Sequence, residues 1–222
     1  VANGFKKPLV AEVGDQKVTV APNTTRALTV SVGSRHARAT VEGAVVDEGP
    51  LKVVSGHDAL IWNVGGVAPL FKGSVSYYAA PLAWSTPPRF SSLCGQRLIA
   101  ERKVDFLFRE PDPSLSVKGT QPVTRVMLSS RWKPPDEPGR APCVSLLHSQ
   151  ADPKVLRVAD ALQAAGELAP EDESLPIITA LVAGADEGVW ERAKALHARR
   201  SDDLDMELAV LWAAQETGHL QE

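Results

Sequence analysis

The sequence predicts an α+β protein. An N-terminal antiparallel, β-sandwich-like domain with long Pro-rich loops spans residues 1–150, and a small acidic four-helix unit spans residues 151–222. Three observations carry this division. Of 17 prolines, 14 precede residue 151, and proline removes a backbone donor and breaks helices, which confines it to turns, loops and strand edges. Apolar residues alternate with polar ones through the first part and recur at helical spacing in the second. Charge divides at the same place: residues 1–150 hold 18 basic and 12 acidic side chains, net +6, and residues 151–222 hold 6 and 15, net −9.

The strands follow in order. Val18 and Val20 alternate with Lys17 and Thr19, and Leu28, Val30 and Val32 with Thr29 and Ser31. Ala37, Ala39 and Val41 share a face opposite Arg38, Thr40 and Glu42, and Val75 and Tyr77 oppose Ser74 and Ser76. Val104, Phe106 and Phe108 alternate with Lys103, Asp105 and Arg109; Val126, Leu128 and Trp132 lie opposite Arg125 and Arg131. Gly14-Asp15, Pro22-Asn23, Gly33-Ser34, Asp47-Glu48-Gly49-Pro50 and Gly65-Gly66 supply turn chemistry at hairpin spacing. No helical pattern separates these runs, so parallel strands joined by crossover helices are not expected. Residues 79–97 and 133–142 are proline-rich and read as long loops, the first a place to look for function.

Four helices follow. Asp152-Pro153 starts the first, with Val155, Val158, Ala159 and Leu162 on one face and Gly166 as its stop. Ser174 opens the second, through Ile177, Ile178, Leu181 and Val182 to Gly184; Asp186 opens the third, with Trp190, Ala193 and Leu196, closed by Arg199-Arg200. Ser201 or Asp202 opens the fourth, where Leu204, Leu208, Leu211 and Trp212 form one apolar stripe that ends at Gly218. Four short helices bury Trp190 and Trp212 only with help, so the bundle is expected to pack on the β part.

Composition narrows the function classes. With 222 residues and 44% hydrophobic content the chain builds real cores. A net charge of −3 gives no reason to expect nucleic acid, and no apolar run approaches the ~20 residues of a membrane helix. Cys94 and Cys143 are the only cysteines. Two remote Cys and five scattered His give no metal-ligand spacing, and dinucleotide, phosphate-loop and hydrolase-elbow motifs are missing; no cofactor or metal is expected. The sharper reading of the cysteines is a disulfide, which closes a loop worth about 3–4 kcal/mol; the plainer one is two free thiols of a cytosolic protein. The chain begins at Val1 and carries the sequon Asn23-Thr24-Thr25, which leans the expectation towards a secreted, periplasmic or cell-surface location, with a cytoplasmic one as the alternative.

The remaining chemistry is thin. His57-Asp58 offers a weak catalytic alternative, a base dyad with Ser55, although neighbours on a strand face opposite ways and a plain turn is the simpler reading. Asp202-Asp203-Leu204-Asp205-Met206-Glu207 lacks the glycine of a calcium loop and reads as an acidic helix start. Arg35-His36-Ala37-Arg38 has no interleaved aromatics and reads as a solvated strand face. Trp84 and Phe90 in the long loop, and Leu9 and Val10 in a segment able to donate an edge strand, are the interaction candidates. Together these features predict a non-enzymatic, extracytoplasmic structural or interaction module. It would mediate assembly or adhesion with a protein partner or with itself, as a homo-oligomer or filament, through its basic β part and acidic helical part. A hydrolase or carbohydrate-active enzyme with its site under the 79–97 loop is one alternative. A cytosolic scaffold that recruits a basic partner is the other.

Overall fold

The structure is a computed structural model that describes residues 1–77, 90–111, 123–130, 141–184, 187–200 and 204–218. The N-terminal part consists of antiparallel sheets and the C-terminal part of five helices, an α+β fold. Strands β1 (Leu9–Val13), β2 (Gln16–Val20), β3 (Gly33–Val41) and β4 (Ala44–Val53) form a sheet in the order β2-β1-β3-β4. A two-stranded ribbon pairs β5 (Ala59–Trp62) with β8 (Leu98–Glu101). The remaining strands, β6 (Phe71–Tyr77), β7 (Phe90–Ser92), β9 (Phe106–Leu107) and β10 (Val123–Ser129), order as β7-β6-β10-β9. The short β9–β10 pairing is parallel; the other pairings are antiparallel.

Alternation places the core. Leu9, Ala11 and Val13 of β1 face inward with Ala37, Ala39 and Val41 of β3, as the period-2 pattern of β3 requires. Val75 and Tyr77 of β6 are buried in the same way. Three expectations fail, each for a local reason. The run Leu28, Val30 and Val32 alternates but joins no ladder; Leu28 and Val30 pack against the main core from an irregular segment. In the run Val104, Phe106 and Phe108 only Phe106–Leu107 pairs, because Lys103 and Phe108 take φ of 58° and 54° and break the extended backbone on either side. Asp47-Glu48-Gly49-Pro50 is not a turn but the middle of β4, an edge strand where proline costs no ladder bond. The β3–β4 turn is Glu42-Gly43, with φ of 50° and 88°, the left-handed pair that a two-residue hairpin demands.

The helices begin earlier than expected. Helix α1 (Pro142–Ser149) starts at the last residue of the proline-rich loop and lies within residues 1–150, expected to be β-rich, with Pro142 in its first turn and Cys143, Val144 and Leu147 buried. Helix α2 (Val155–Ala164) follows Asp152-Pro153, and the Asp152 carboxylate accepts the Lys154 amide at 2.9 Å. Helices α3 (Leu175–Val182), α4 (Glu187–His197) and α5 (Leu204–Thr217) complete the chain.

One apolar core joins the two parts. Val144 and Leu147 of α1 and Val155, Val158, Ala161 and Leu162 of α2 share a cluster with Phe5, Leu9, Val41, Val46 and Trp62. The approach is close at Gly65, whose φ is 62°: a methyl group there would lie 2.4 Å from the Ala161 Cβ, so the contact requires glycine. A second cluster, Ile177, Leu181, Val189, Trp190, Leu196, Ala213 and Ala214, holds α3, α4 and α5 together.

Candidate functional site

The two cysteines converge. Cys94, after β7, and Cys143, in the first turn of α1, place their sulfurs at disulfide distance, 2.07 Å, with Cα atoms 5.3 Å apart. Both residues are nearly inaccessible, at 3% and 1% exposure. They sit where the main core passes from sheet to helix, so the cross-link pins α1 to the β part. Beside it, Asp47 on β4 accepts from Trp62 Nε1 at 2.9 Å, Gly65 N at 3.0 Å and Arg97 Nε at 2.7 Å. Arg97 also donates to the Pro50 and Gly49 carbonyls. Every contact of this carboxylate is internal, and the network ties β4, the ribbon and the turn after β5 into one body.

The junction is held chiefly by apolar packing. Among the described residues no ion pair within 4.0 Å joins residues 1–150 to residues 151–222. The polar links are the Lys6 amide to Glu167 at 2.8 Å, Lys7 Nζ to the Ala165 carbonyl at 3.4 Å and Arg157 to the Gly95 carbonyl at 3.4 Å. Glu167 is the point at which charge of the two parts meets: it accepts the Lys6 amide, and its negative charge acts on Lys7.

Helix α5 reverses the expected orientation. Its buried residues are Ala209, Ala213 and Ala214, whereas Leu208 and Leu211 are each 58% exposed and Trp212 is 38% exposed. Alanines let α5 approach α4 closely, and the larger side chains then point outward. The helix carries Asp205, Glu207 and Glu216 and no basic residue. An apolar stripe, with Glu207 and Glu216 exposed on the same helix, thus stands on the surface of the acidic unit. The stripe itself is plain in the sequence; which side of the helix turns inward is decided by the close approach of α4 to Ala209, Ala213 and Ala214.

The other sequence candidates are placed as follows. Leu9 and Val10 do not form a donor strand: β1 is paired on both edges, with β2 and β3, Leu9 is fully buried and Val10 half-buried. Phe90 is 48% exposed at the start of the edge strand β7. Trp84, Asp202 and Asp203 lie outside the described residues. His57 and Asp58 do not form a dyad: His57 Nδ1 lies 3.3 Å from the Ser55 carbonyl and Asp58 accepts the Val104 amide at 3.1 Å. Asn23 of the sequon is exposed in the turn after β2, with φ of 53°. Among the described residues no group of three or more His, Cys, Asp or Glu side chains is close enough to hold a metal ion. Nor is any helix long and apolar enough to cross a membrane. Comparison with protein-family models, curated proteins and solved structures finds no match to this chain.

Proposed function

We propose that the protein is a non-enzymatic assembly module of an oxidising, extracytoplasmic compartment, in which the acidic helical unit of one copy docks on the basic β part of the next. The observation that carries this reading is the outward stripe Leu208, Leu211 and Trp212 on a helix with acidic and no basic residues. Exposed leucine and tryptophan at helical spacing, with charged neighbours, is the chemistry of a helix that packs on a partner. The second copy is favoured because net charges of −9 and +6 are complementary and, among the described residues, no ion pair within 4.0 Å joins the two parts inside the chain. Such a contact is heterologous, so it closes into a ring or extends into a filament. A buried cysteine pair at bonding distance supports the compartment, since cytosolic thiols are kept reduced.

Sedimentation velocity over a concentration series at low and high salt tests the proposal. Concentration-dependent association that weakens as salt rises, and that is lost in the double variant Leu208→Asp/Leu211→Asp, is the expected result. A strict monomer at every concentration and salt overturns it.

A further inference from the structure

An apolar cavity of about 360 Å³ opens in the β part, between the end of β4, the β5–β8 ribbon and the irregular segment that precedes β3. Its wall is built from Leu28, Val30, Val53, Ile61, Trp62 and Phe108. Val53, Ile61 and Trp62 are buried, and the Trp62 indole nitrogen is committed to Asp47, so the interior presents hydrocarbon and aromatic surface. The volume falls within the ~300–1,000 Å³ of small-molecule sites, which are mostly apolar with a few placed polar groups. The polar members of the lining are Thr25, Arg26 and Asp58, all exposed, which puts them at the mouth.

The mouth carries one charge of each sign. Asp58 is held in place by the Val104 amide, which its carboxylate accepts. The backbone of Arg26 exchanges two hydrogen bonds with Val1, at 2.8 and 2.9 Å, which fixes its position. Its guanidinium makes no hydrogen bond or ion pair to any described residue. A fixed backbone with an unengaged guanidinium beside an apolar cavity suits a carboxylate on a hydrocarbon chain.

The covering segment can also yield. It is clamped at one end by the Val1–Arg26 bonds and at the other by Arg35, which donates to the Ser31 and Val32 carbonyls. Between these clamps the amides of residues 27–32 donate to no acceptor among the described residues, and only Leu28 and Val30 anchor the strap by packing. Lifting it breaks no backbone ladder, so opening involves little beyond two apolar side chains. The alternating Leu28-Thr29-Val30 pattern thereby gains a use: it lines a cavity instead of completing a sheet.

We propose that this cavity binds a medium-chain fatty acid or similar amphipathic anion, its chain among Val53, Ile61, Trp62 and Phe108 and its carboxylate on Arg26. The site is separate from the α5 surface, and neither proposal requires the other.

Isothermal titration of the intact chain with decanoate, octanoate and decanol, each below its aggregation concentration, tests it. Decanoate should bind at a saturable single site, and about fifteenfold more tightly than octanoate, since each of its two extra methylenes strengthens binding about fourfold. Decanol, which matches the chain but not the charge, should bind about tenfold more weakly. Arg26→Gln, a change at an exposed position, should bring decanoate down to the affinity of decanol. Val53→Phe, which fills the cavity, should abolish both in a chain whose circular dichroism and unfolding midpoint show it folded. Absence of saturable decanoate binding, or equal affinity for decanoate and decanol in the unaltered chain, overturns the proposal. So does decanoate binding that Arg26→Gln leaves unchanged.

Discussion

The junction between sheet and helices and the α5 face of the distal bundle bury their apolar residues by opposite means. At the junction, large side chains fill the interior: Phe5, Leu9, Val144, Leu147, Val155 and Val158 are each exposed by 2% or less. A glycine at 65 brings the backbone against Ala161, and a cysteine pair spans the contact. In the bundle the α5 interface is built from alanines, and leucine and tryptophan stand outside. Junction residues therefore govern stability, because removing them leaves cavities in a close-packed interior. The outward residues of α5 are free to serve association, since truncating them leaves no void.

The largest effect that distinguishes the two regions comes from the cysteines. Cys94→Ala/Cys143→Ala should lower unfolding free energy by about 3–4 kcal/mol, because the cross-link closes a long loop and its loss releases the unfolded chain. Chemical denaturation should register this as a lower midpoint with a steeper slope, because the released unfolded chain exposes more surface. Because the pair ties β7 to α1, the loss should fall on the junction. Amides of α1 and α2 should exchange faster while those of α4 and α5 change least. Equal loss of protection across all helices would dissolve the distinction.

A smaller and more local contrast is available from two leucines. Leu147→Ala at the junction should cost about 2–4 kcal/mol, as a fully buried leucine does when its neighbours close in only partly. Leu211→Ala on α5, where the side chain is mostly solvated, should stay within about 0.5 kcal/mol. Association should respond in reverse order: Leu211→Ala weakens it, whereas Leu147→Ala leaves the affinity of folded molecules unchanged. Sedimentation and denaturation of the same two variants check both halves.

The residues explain which features were legible in advance. Alternation in β3 and β6 is plain because one face of each meets a core and the other meets water. The same signal misleads at Leu28 and Val30, since alternation reports a buried face and not a hydrogen-bonded neighbour. Turn-forming residues at 47–50 sit inside β4 because an edge strand tolerates proline and glycine, and the actual turn, Glu42-Gly43, is only two residues long. Helix α1 is masked by the proline-rich stretch before it, although Val144 and Leu147 carry helical spacing. Stripe residues 208, 211 and 212 reveal amphipathicity, but which side turns inward depends on how closely α4 approaches, a tertiary fact. The pairing of Cys94 with Cys143 was accessible because no third cysteine competes. The cavity under residues 26–32 was not, since its walls come from strands distant in sequence.

The smallest expected effect lies on the outer face of the first sheet, where charge is exposed as it is on α5 but is paired. Glu12 on β1 lies opposite Lys17 on β2 in the register, with Nζ and the carboxylate 2.7 Å apart. The hydrogen bond from Lys17, followed by its positive charge, holds the Glu12 carboxyl below its ordinary value. At the other end of the sheet, the hydrogen bond to Glu42 raises Lys7 above its ordinary value. The signs differ accordingly. The Glu12 pair stabilises the fold above the ordinary carboxylate range and is lost as pH falls through the lowered native value. The Lys7 pair is fully present below the ordinary lysine range and is lost as pH rises through the raised one. Both are solvent-screened, so their test is titration and not denaturation. Carboxyl carbon shifts followed by NMR should show Glu12 titrating at higher pH in Lys17→Met than in the parent chain, and the difference should shrink in high salt. An unchanged Glu12 titration would mean that the facing charges on the sheet act independently of one another, and the electrostatic half of the contrast between the two regions would fail.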